Sequence, residues 1–195
     1  MSRFPLIDYD TVNMAIRYYE DIAEYKYIEV PWVVTKKALL VTLPTCIEPN
    51  SIREEEMVAS GEQSFLQMIL NQELPPGKYC CATPCYRKFD GLKKDGLHFS
   101  QFFKVELINT LAQDFSEFGL GDMIHDAMAF MGSVITNELD FVQTEDDPRH
   151  ECDTFVNYDV VTSKGVELGS YGLRSHPLCG RWMYGTGVAL PRLFH

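Results

Sequence analysis

Residues 78–108 read KYCCATPCYRKFDGLKKDGLHFSQFFKVELI, and this stretch decides the fold. Lys78 to Arg87 reads as a strand, Phe89 to Gly96 as a loop rich in glycine and lysine, and His98 to Ile108 as a second strand. Two β runs joined by a glycine-bearing loop predict a long antiparallel hairpin.

Upstream of the hairpin, Ser60, Gly61, Glu62 and Gln63 open a helix whose apolar face is Phe65, Met68 and Ile69. Ser60 followed three residues later by Gln63 is a capping box, and Leu74-Pro75-Pro76-Gly77 ends the helix. Further back, Asp10 caps a first helix in which Val12, Ile16, Tyr19 and Ala23 recur at helical spacing through Lys26. Tyr27 to Val34 is a β-rich run broken by Pro31, which suits an edge or bulged strand. Leu39 to Leu43 reads as another short strand, and Pro44 to Glu56 as a loop with an acidic tip.

Downstream, Leu120 to Val134 reads as helix. Glu138 to Asp153 carries seven acids against one arginine and reads as a solvated loop around a short strand. Phe155 to Val161, Val166 to Tyr171 and Trp182 to Val188 read as three more strands. The pattern predicts an α+β fold, an antiparallel sheet flanked by helices. With no internal repeat, low-complexity tract or linker, residues 1–195 are expected to form one domain.

Composition narrows the function. Of 195 residues, 46% are hydrophobic, enough for a proper core. Against 28 Asp and Glu stand 17 Lys and Arg, a formal charge of −11. That balance argues against a protein whose main task is gripping phosphate backbones. No apolar run approaches the roughly 20 residues of a membrane span. The N-terminus lacks a charged-then-apolar signal pattern, so the expected location is the cytoplasm, with the six cysteines as reduced thiols. Cys80, Cys81 and Cys85 share a strand, while His150-Glu151-Cys152 and His176…Cys179 lie further on. No Cys-x-x-Cys pair closes, and Cys80 and Cys81 as strand neighbours point to opposite faces, so no structural metal is expected from them.

Three stretches carry chemistry. Tyr27-Ile28-Glu29-Val30-Pro31 follows a helix; Thr83-Pro84-Cys85-Tyr86-Arg87 leads through the loop to His98 and Gln101-Phe102-Phe103-Lys104-Val105-Glu106-Leu107; and Trp182-Met183-Tyr184-Gly185-Thr186-Gly187-Val188-Ala189-Leu190-Pro191-Arg192 closes the chain. In that order they resemble motifs 1, 2 and 3 of the class II aminoacyl-tRNA synthetases, with the seryl branch the nearest match. The resemblance covers roughly residues 10–195. It implies a class II synthetase-like catalytic fold and a nucleotide site with ATP and Mg as cofactors.

The implied roles follow residue by residue. Arg87 neutralises the α-phosphate as an oxygen nucleophile attacks it, and with Arg192 it forms the catalytic pair. Phe102 and Arg192 sandwich adenine, the glycines near Arg192 let backbone approach the nucleotide, and His98 belongs to the ATP-binding set. Glu167, in Val166-Glu167-Leu168-Gly169-Ser170, matches the glutamate that holds Mg with ATP. Ser60-Gly61-Glu62 matches the Thr-x-Glu whose glutamate takes the substrate α-ammonium. Glu106 is placed to read a side-chain hydroxyl, and Ser170 to touch the amino acid.

Each residue also has a plainer reading. Arg87 and Arg192 suit strand-end arginines paired with acids, Phe102 suits the core, Ser60 and Glu62 suit a helix N-terminus, and Glu167 suits a solvated strand position.

The chain departs from the family pattern in three places. Phe89, beside Asp90, stands where motif 2 usually has glutamate; the short loop offers Lys93 and Lys94 where longer family loops often supply another arginine; and the chain ends at His195, three residues past Arg192, where the family continues into a helix. No tRNA-binding arm or anticodon domain fits in the length.

The expected function is therefore ATP-dependent activation of a small amino acid, for instance a serine-like one, as its adenylate, by a homodimer joined through the motif 1 segment. Transfer would go to a small molecule or a carrier protein, with tRNA not expected as partner. The alternative is a non-catalytic synthetase paralogue acting as a regulatory or accessory subunit; a third option is a truncated relic that charges tRNA with a partner's help.

Overall fold

The computed structural model describes residues 6–52, 54–88, 97–146 and 148–194. The expectations placed on Phe89, Asp90, Lys93, Lys94 and His195 fall outside these residues.

The hairpin forms as the alternation predicts. Strand β5 (Lys78–Tyr86) pairs antiparallel with β6 (Gln101–Asn109) over nine registered positions, from Lys78 opposite Asn109 to Tyr86 opposite Gln101. It is the spine of a seven-stranded sheet ordered β1-β5-β6-β10-β9-β8-β7. The other members are β1 (Lys26–Tyr27), β7 (Leu139–Thr144), β8 (Asp153–Thr162), β9 (Glu167–His176) and β10 (Gly180–Leu190). All neighbours are antiparallel except β1, which pairs parallel with β5 at the sheet edge. A second, three-stranded sheet joins β2 (Val33–Val34), β4 (Glu55–Met57) and β3 (Asn50–Ile52).

Strand alternation sorts side chains onto two faces. Cys80, Val105, Leu107, Tyr171, Leu173, Met183 and Val188 enter the main core beneath α1 (Tyr9–Asp21) and α4 (Glu117–Val134). Tyr79, Cys81, Ile108, Trp182 and Tyr184 face the other way and pack with Phe65 and Leu66 of α3 (Gly61–Leu70). Cys80 and Cys81 thus lie in different cores, as strand geometry requires. Burial pushes the Cys80 thiol up to about 12. All six cysteines are free. Among the described residues no helix is long and apolar enough to cross a membrane.

Several local expectations need correction. Leu39 to Leu43 is not a strand: Lys36–Thr42 forms helix α2, capped by the Thr35 hydroxyl, which accepts from the Ala38 N–H at 3.3 Å. A short apolar run has no period that separates strand from buried helix, and here the cap decides. The cap of helix α1 lies two residues before Asp10, because Asp8 accepts from the N–H groups of Asp10 and Thr11. The helix stops at Asp21, short of Lys26. The Tyr27 to Val34 run divides between two sheets, with Pro31 outside both strands. The 44–56 loop contains β3 and β4.

The largest correction concerns Glu138 to Asp153. Its first part is edge strand β7, the short strand expected there, but its second part folds back onto the body of the protein rather than into solvent. Pro44 bridges Arg149, and the Thr45 N–H donates to the Pro148 carbonyl at 2.9 Å. The Asp146 and Arg149 side chains form an ion pair and are only 8% and 15% exposed.

Candidate functional site

On the sheet face opposite α1 and α4, the alternating residues Phe102, Lys104 and Glu106 of β6, Ser170 and Arg174 of β9 and Thr186 of β10 border open space. An outer cleft of about 330 Å³ is lined by Arg87, Phe102, Asp159, Glu167, Ser170 and Arg192 among others. A smaller inner pocket of about 70 Å³ adjoins it and includes Thr42, Glu62, Glu106, Arg174 and Tyr184. The two share Pro44, Arg87, Lys104, Arg149, Ser170 and Thr186.

Most of the residues singled out from the sequence meet here. Arg87, Phe102, Glu167, Ser170 and Arg192 line the outer cleft, and Arg87, Glu62, Glu106 and Ser170 line the inner pocket. His98 does not appear in either lining, whereas its neighbours Leu97 and Phe99 border the cleft.

The Arg87 guanidinium lies over the Phe102 ring, 5.1 Å from its centroid, and its Nε donates to the Ala59 carbonyl at 3.3 Å. Arg192 pairs with Glu167 at 3.1 Å, in an exposed geometry (20% and 48%) that water and salt weaken readily. Asp159, one strand over, points into the same cleft. Burial, and after it the charge of Glu167, hold the Asp159 carboxyl above its usual range.

The inner pocket is a closed ionic network. Glu106 accepts from the Ser60 hydroxyl, whose oxygen lies 3.0 and 2.7 Å from the two carboxylate oxygens, and from the Glu62 backbone N–H at 2.7 Å. It therefore caps the N-terminus of α3, where the helix dipole favours a negative charge. Ser60 itself accepts from the Glu62 N–H at 3.3 Å, and Gln63 reaches back to the Ala59 N–H at 2.8 Å, a capping box shifted by one residue. Lys104 forms an ion pair with Glu106. Burial would raise the Glu106 carboxyl, but Lys104, Ser60 and the Glu62 N–H together bring it below the ordinary range.

The Glu62 carboxylate is engaged on both oxygens, by Arg174 at 2.5 Å and by the Trp182 indole N–H at 2.7 Å. Arg174 continues to Asp146 at 2.6 Å and stacks on the Tyr184 ring, its central carbon 3.7 Å from the centroid. Asp146 also receives Arg149 and the Thr154 hydroxyl. Burial would raise Asp146 as well, yet the two arginines hold it low. Arg174 resists the desolvation that burial imposes because Glu62, Tyr184 and Asp146 surround it, and its pKa is raised.

Thr42, Lys104, Asp146, Arg149, Asn157, Asp159 and Arg174 were not singled out from the sequence as site residues. The lone arginine among seven acids was a usable signal for Arg149 and its neighbour Asp146. Alternation along β9 was another: Ser170, Gly172 and Arg174 share a face while Tyr171 and Leu173 enter the core.

The glycines of β10 serve a different purpose from close nucleotide approach. A Cβ on Gly187 would stand 2.7 Å from the Tyr19 ring, and one on Gly185 would stand 2.6 Å from the Tyr171 ring. Both therefore face the core under α1 and α4, where they make room for aromatic side chains.

Among the described residues no group of three His, Cys, Asp or Glu side chains is arranged to hold a metal ion by itself. Glu167 and Asp159 offer oxygen donors of the kind that suit a hard cation shared with phosphates.

Solved structures share this fold. The chain is similar to seryl-tRNA synthetase from Pyrococcus horikoshii complexed with ATP, at 16% identity and TM-score 0.75 over 98% of this chain and 51% of that one. It is similar to pyrrolysyl-tRNA synthetase from Desulfitobacterium hafniense, at 18% identity and TM-score 0.69 over 95% of this chain and 65% of that one. Cytoplasmic serine–tRNA ligase from Naegleria fowleri in complex with AMP matches at 18% and 0.69, over 96% and 53%. At these identities the likeness is one of fold: the α+β architecture is that of class II aminoacyl-tRNA synthetase catalytic domains. The chain spans about half to two thirds of the length of these proteins. No protein-family model matches the sequence, and no curated protein matches it.

Proposed function

We propose that this chain uses ATP to activate a small carboxylic acid, of amino-acid size, as its acyl adenylate. The observation that carries the reading is the position of Arg87, which borders both a nucleotide-sized cleft and the small pocket adjoining it. An acid seated in the inner pocket turns its carboxylate toward the residues that the two spaces share. There a carboxylate oxygen forms a bond to the α-phosphorus, the bond from that phosphorus to the bridging oxygen breaks, and pyrophosphate leaves with the electron pair. Arg87 neutralises the charge that grows on the α-phosphate, and fixed placement of both reactants supplies the rest. Phe102 and Arg192 flank adenine, which requires the Arg192–Glu167 pair to open. Glu167, with Asp159, would hold the Mg that accompanies ATP and offsets phosphate charge.

The acceptor in this reading is a small molecule or a carrier protein rather than tRNA, given the charge of −11. Dimerisation would use the segment around β1 and β2, where Trp32 is exposed beside the half-buried Tyr27. Sedimentation at micromolar concentration should show a dimer, and a monomer would remove that part.

A second reading, a non-catalytic paralogue with regulatory or accessory duties, is favoured by one observation. The Glu62 carboxylate, placed by sequence to receive an α-ammonium, is already occupied on both oxygens. ATP–pyrophosphate exchange over the twenty amino acids and their non-amino analogues separates the two. Acid-dependent exchange supports activation, and ATP binding without exchange supports the paralogue.

A further inference from the structure

We infer that the inner pocket is built for a small carboxylic acid bearing an oxygen function in place of the α-ammonium, in the simplest case a hydroxy acid. The inference rests on the reading of the cleft as a site of ATP-dependent acid activation and names the class of acid.

The first support is the commitment of every carboxylate around the pocket. Glu62 is held by Arg174 and Trp182, Glu106 by Lys104, Ser60 and the Glu62 N–H, and Asp146 by Arg149, Arg174 and Thr154. An ammonium entering the pocket would compete with Arg174 and Trp182 for Glu62, and with Lys104 for Glu106. Taking Glu62 would strand part of the charge of Arg174, whose side chain is 2% exposed. Asp159 and Glu167 line only the outer cleft and give the pocket no substitute.

The second support is the sign of the remaining charge. Arg87, Lys104, Arg149 and Arg174 line the inner pocket against the carboxylates of Glu62 and Glu106. Among the described residues these four cations face two carboxylates, or three with Asp146, which sits between two of the arginines. Such a pocket welcomes a carboxylate and an uncharged remainder, and opposes a second cation.

The third support is an orphan. The Thr42 hydroxyl is buried and has no hydrogen-bond partner among the described residues, although its own carbonyl accepts from Arg149 at 3.3 Å. Thr42 lines the inner pocket. Unpaired buried polar atoms are rare because each costs the desolvation of that atom, and this one belongs to a residue that lines the pocket. A hydroxyl can both donate and accept, which matches a hydroxyl or keto oxygen on the acid. The volume of about 70 Å³ holds only a few non-hydrogen atoms, which sets the size class.

The test is ATP–pyrophosphate exchange with matched pairs at neutral pH: glycolate against glycine, lactate against alanine, glycerate against serine. The hydroxy acid of at least one pair should show kcat/KM at least tenfold above its amino partner. Thr42→Val, close in shape, should lower that value about tenfold while the thermal midpoint holds or rises, since an unpaired hydroxyl has gone. Equal rates, or preference for the amino partners, would overturn the inference and leave acid activation standing. Unchanged hydroxy-acid kinetics in Thr42→Val would overturn the role of Thr42. Absence of exchange with every acid would sink the activation reading itself, and the inference with it.

Discussion

Arg174 and Glu62 are 112 residues apart in the chain, yet they form an ion pair at 2.5 Å whose side chains are 2% and 7% exposed. The pair ties β9 to the first turn of α3 and forms the floor of the inner pocket. Removing two charges from water is expensive, and only close geometry with further hydrogen bonds offsets it. Trp182 and Asp146 supply those bonds.

Cutting the pair from one side should therefore be severe. Arg174→Met leaves the buried Glu62 carboxylate with no cationic partner and Asp146 with Arg149 alone, and should cost about 3–5 kcal/mol. Glu62→Gln should also destabilise, and the double variant should lose less than the sum of the singles. Urea unfolding of the four proteins measures the coupling. An Arg174→Met protein as stable as the parent would show that the network is not closed.

Acid should loosen the same region. The Glu106 and Asp146 carboxyls lie below their ordinary values in the folded state. Their contribution is complete above the unfolded values of about 4 and is lost as pH falls through the lower folded values. Asp159 has the opposite sign: its folded value is raised, so its ionised form destabilises the fold at neutral pH. Asp159→Asn should hold or raise the thermal midpoint at pH 7, and the advantage should shrink in acid. A variant that melts lower at pH 7 would contradict this.

Much of the fold was legible because its signals are local. The hairpin from Lys78 to Asn109 follows period-two alternation, and α3 follows its Ser60 cap. Helix α2 was not, since the apolar run after Thr35 reads equally as strand, and only the accepted Ala38 N–H settles it. The motifs did single out residues that share one cleft: Arg87, Phe102, Glu167, Ser170 and Arg192 all line it. The ionic floor of the inner pocket was hidden, because charge in sequence suggests solvent and only tertiary pairing shows otherwise. Asp146 and Arg149 read as members of a solvated acidic stretch, and the partners of Glu62 lie more than 100 residues away.

The β10 glycines give a packing test. Gly187→Ala drives a methyl group into the Tyr19 ring, which is fully buried and donates its hydroxyl to the Gly187 carbonyl at 2.8 Å. Overpacking of this kind costs about 1–3 kcal/mol. Calorimetric melting should show the loss without a matching fall in ATP affinity. If affinity fell while stability held, the glycine would be serving the nucleotide instead.

Arg87→Ala should separate chemistry from binding. Charge develops on the α-phosphate during attack, so exchange should fall about 100- to 1,000-fold while ATP affinity changes by much less. Equal losses in both would move Arg87 from the transition state to ground-state binding.

The central claim is that the outer cleft takes ATP. Calorimetric titration of Mg-ATP into the unmodified chain, repeated with Phe102→Ala, tests it most directly. The account predicts one saturable site with a dissociation constant below about 1 mM. Loss of the Phe102 ring should weaken it by about tenfold, as expected for removing one base-stacking face. No binding at millimolar nucleotide, or binding indifferent to Phe102, would contradict it.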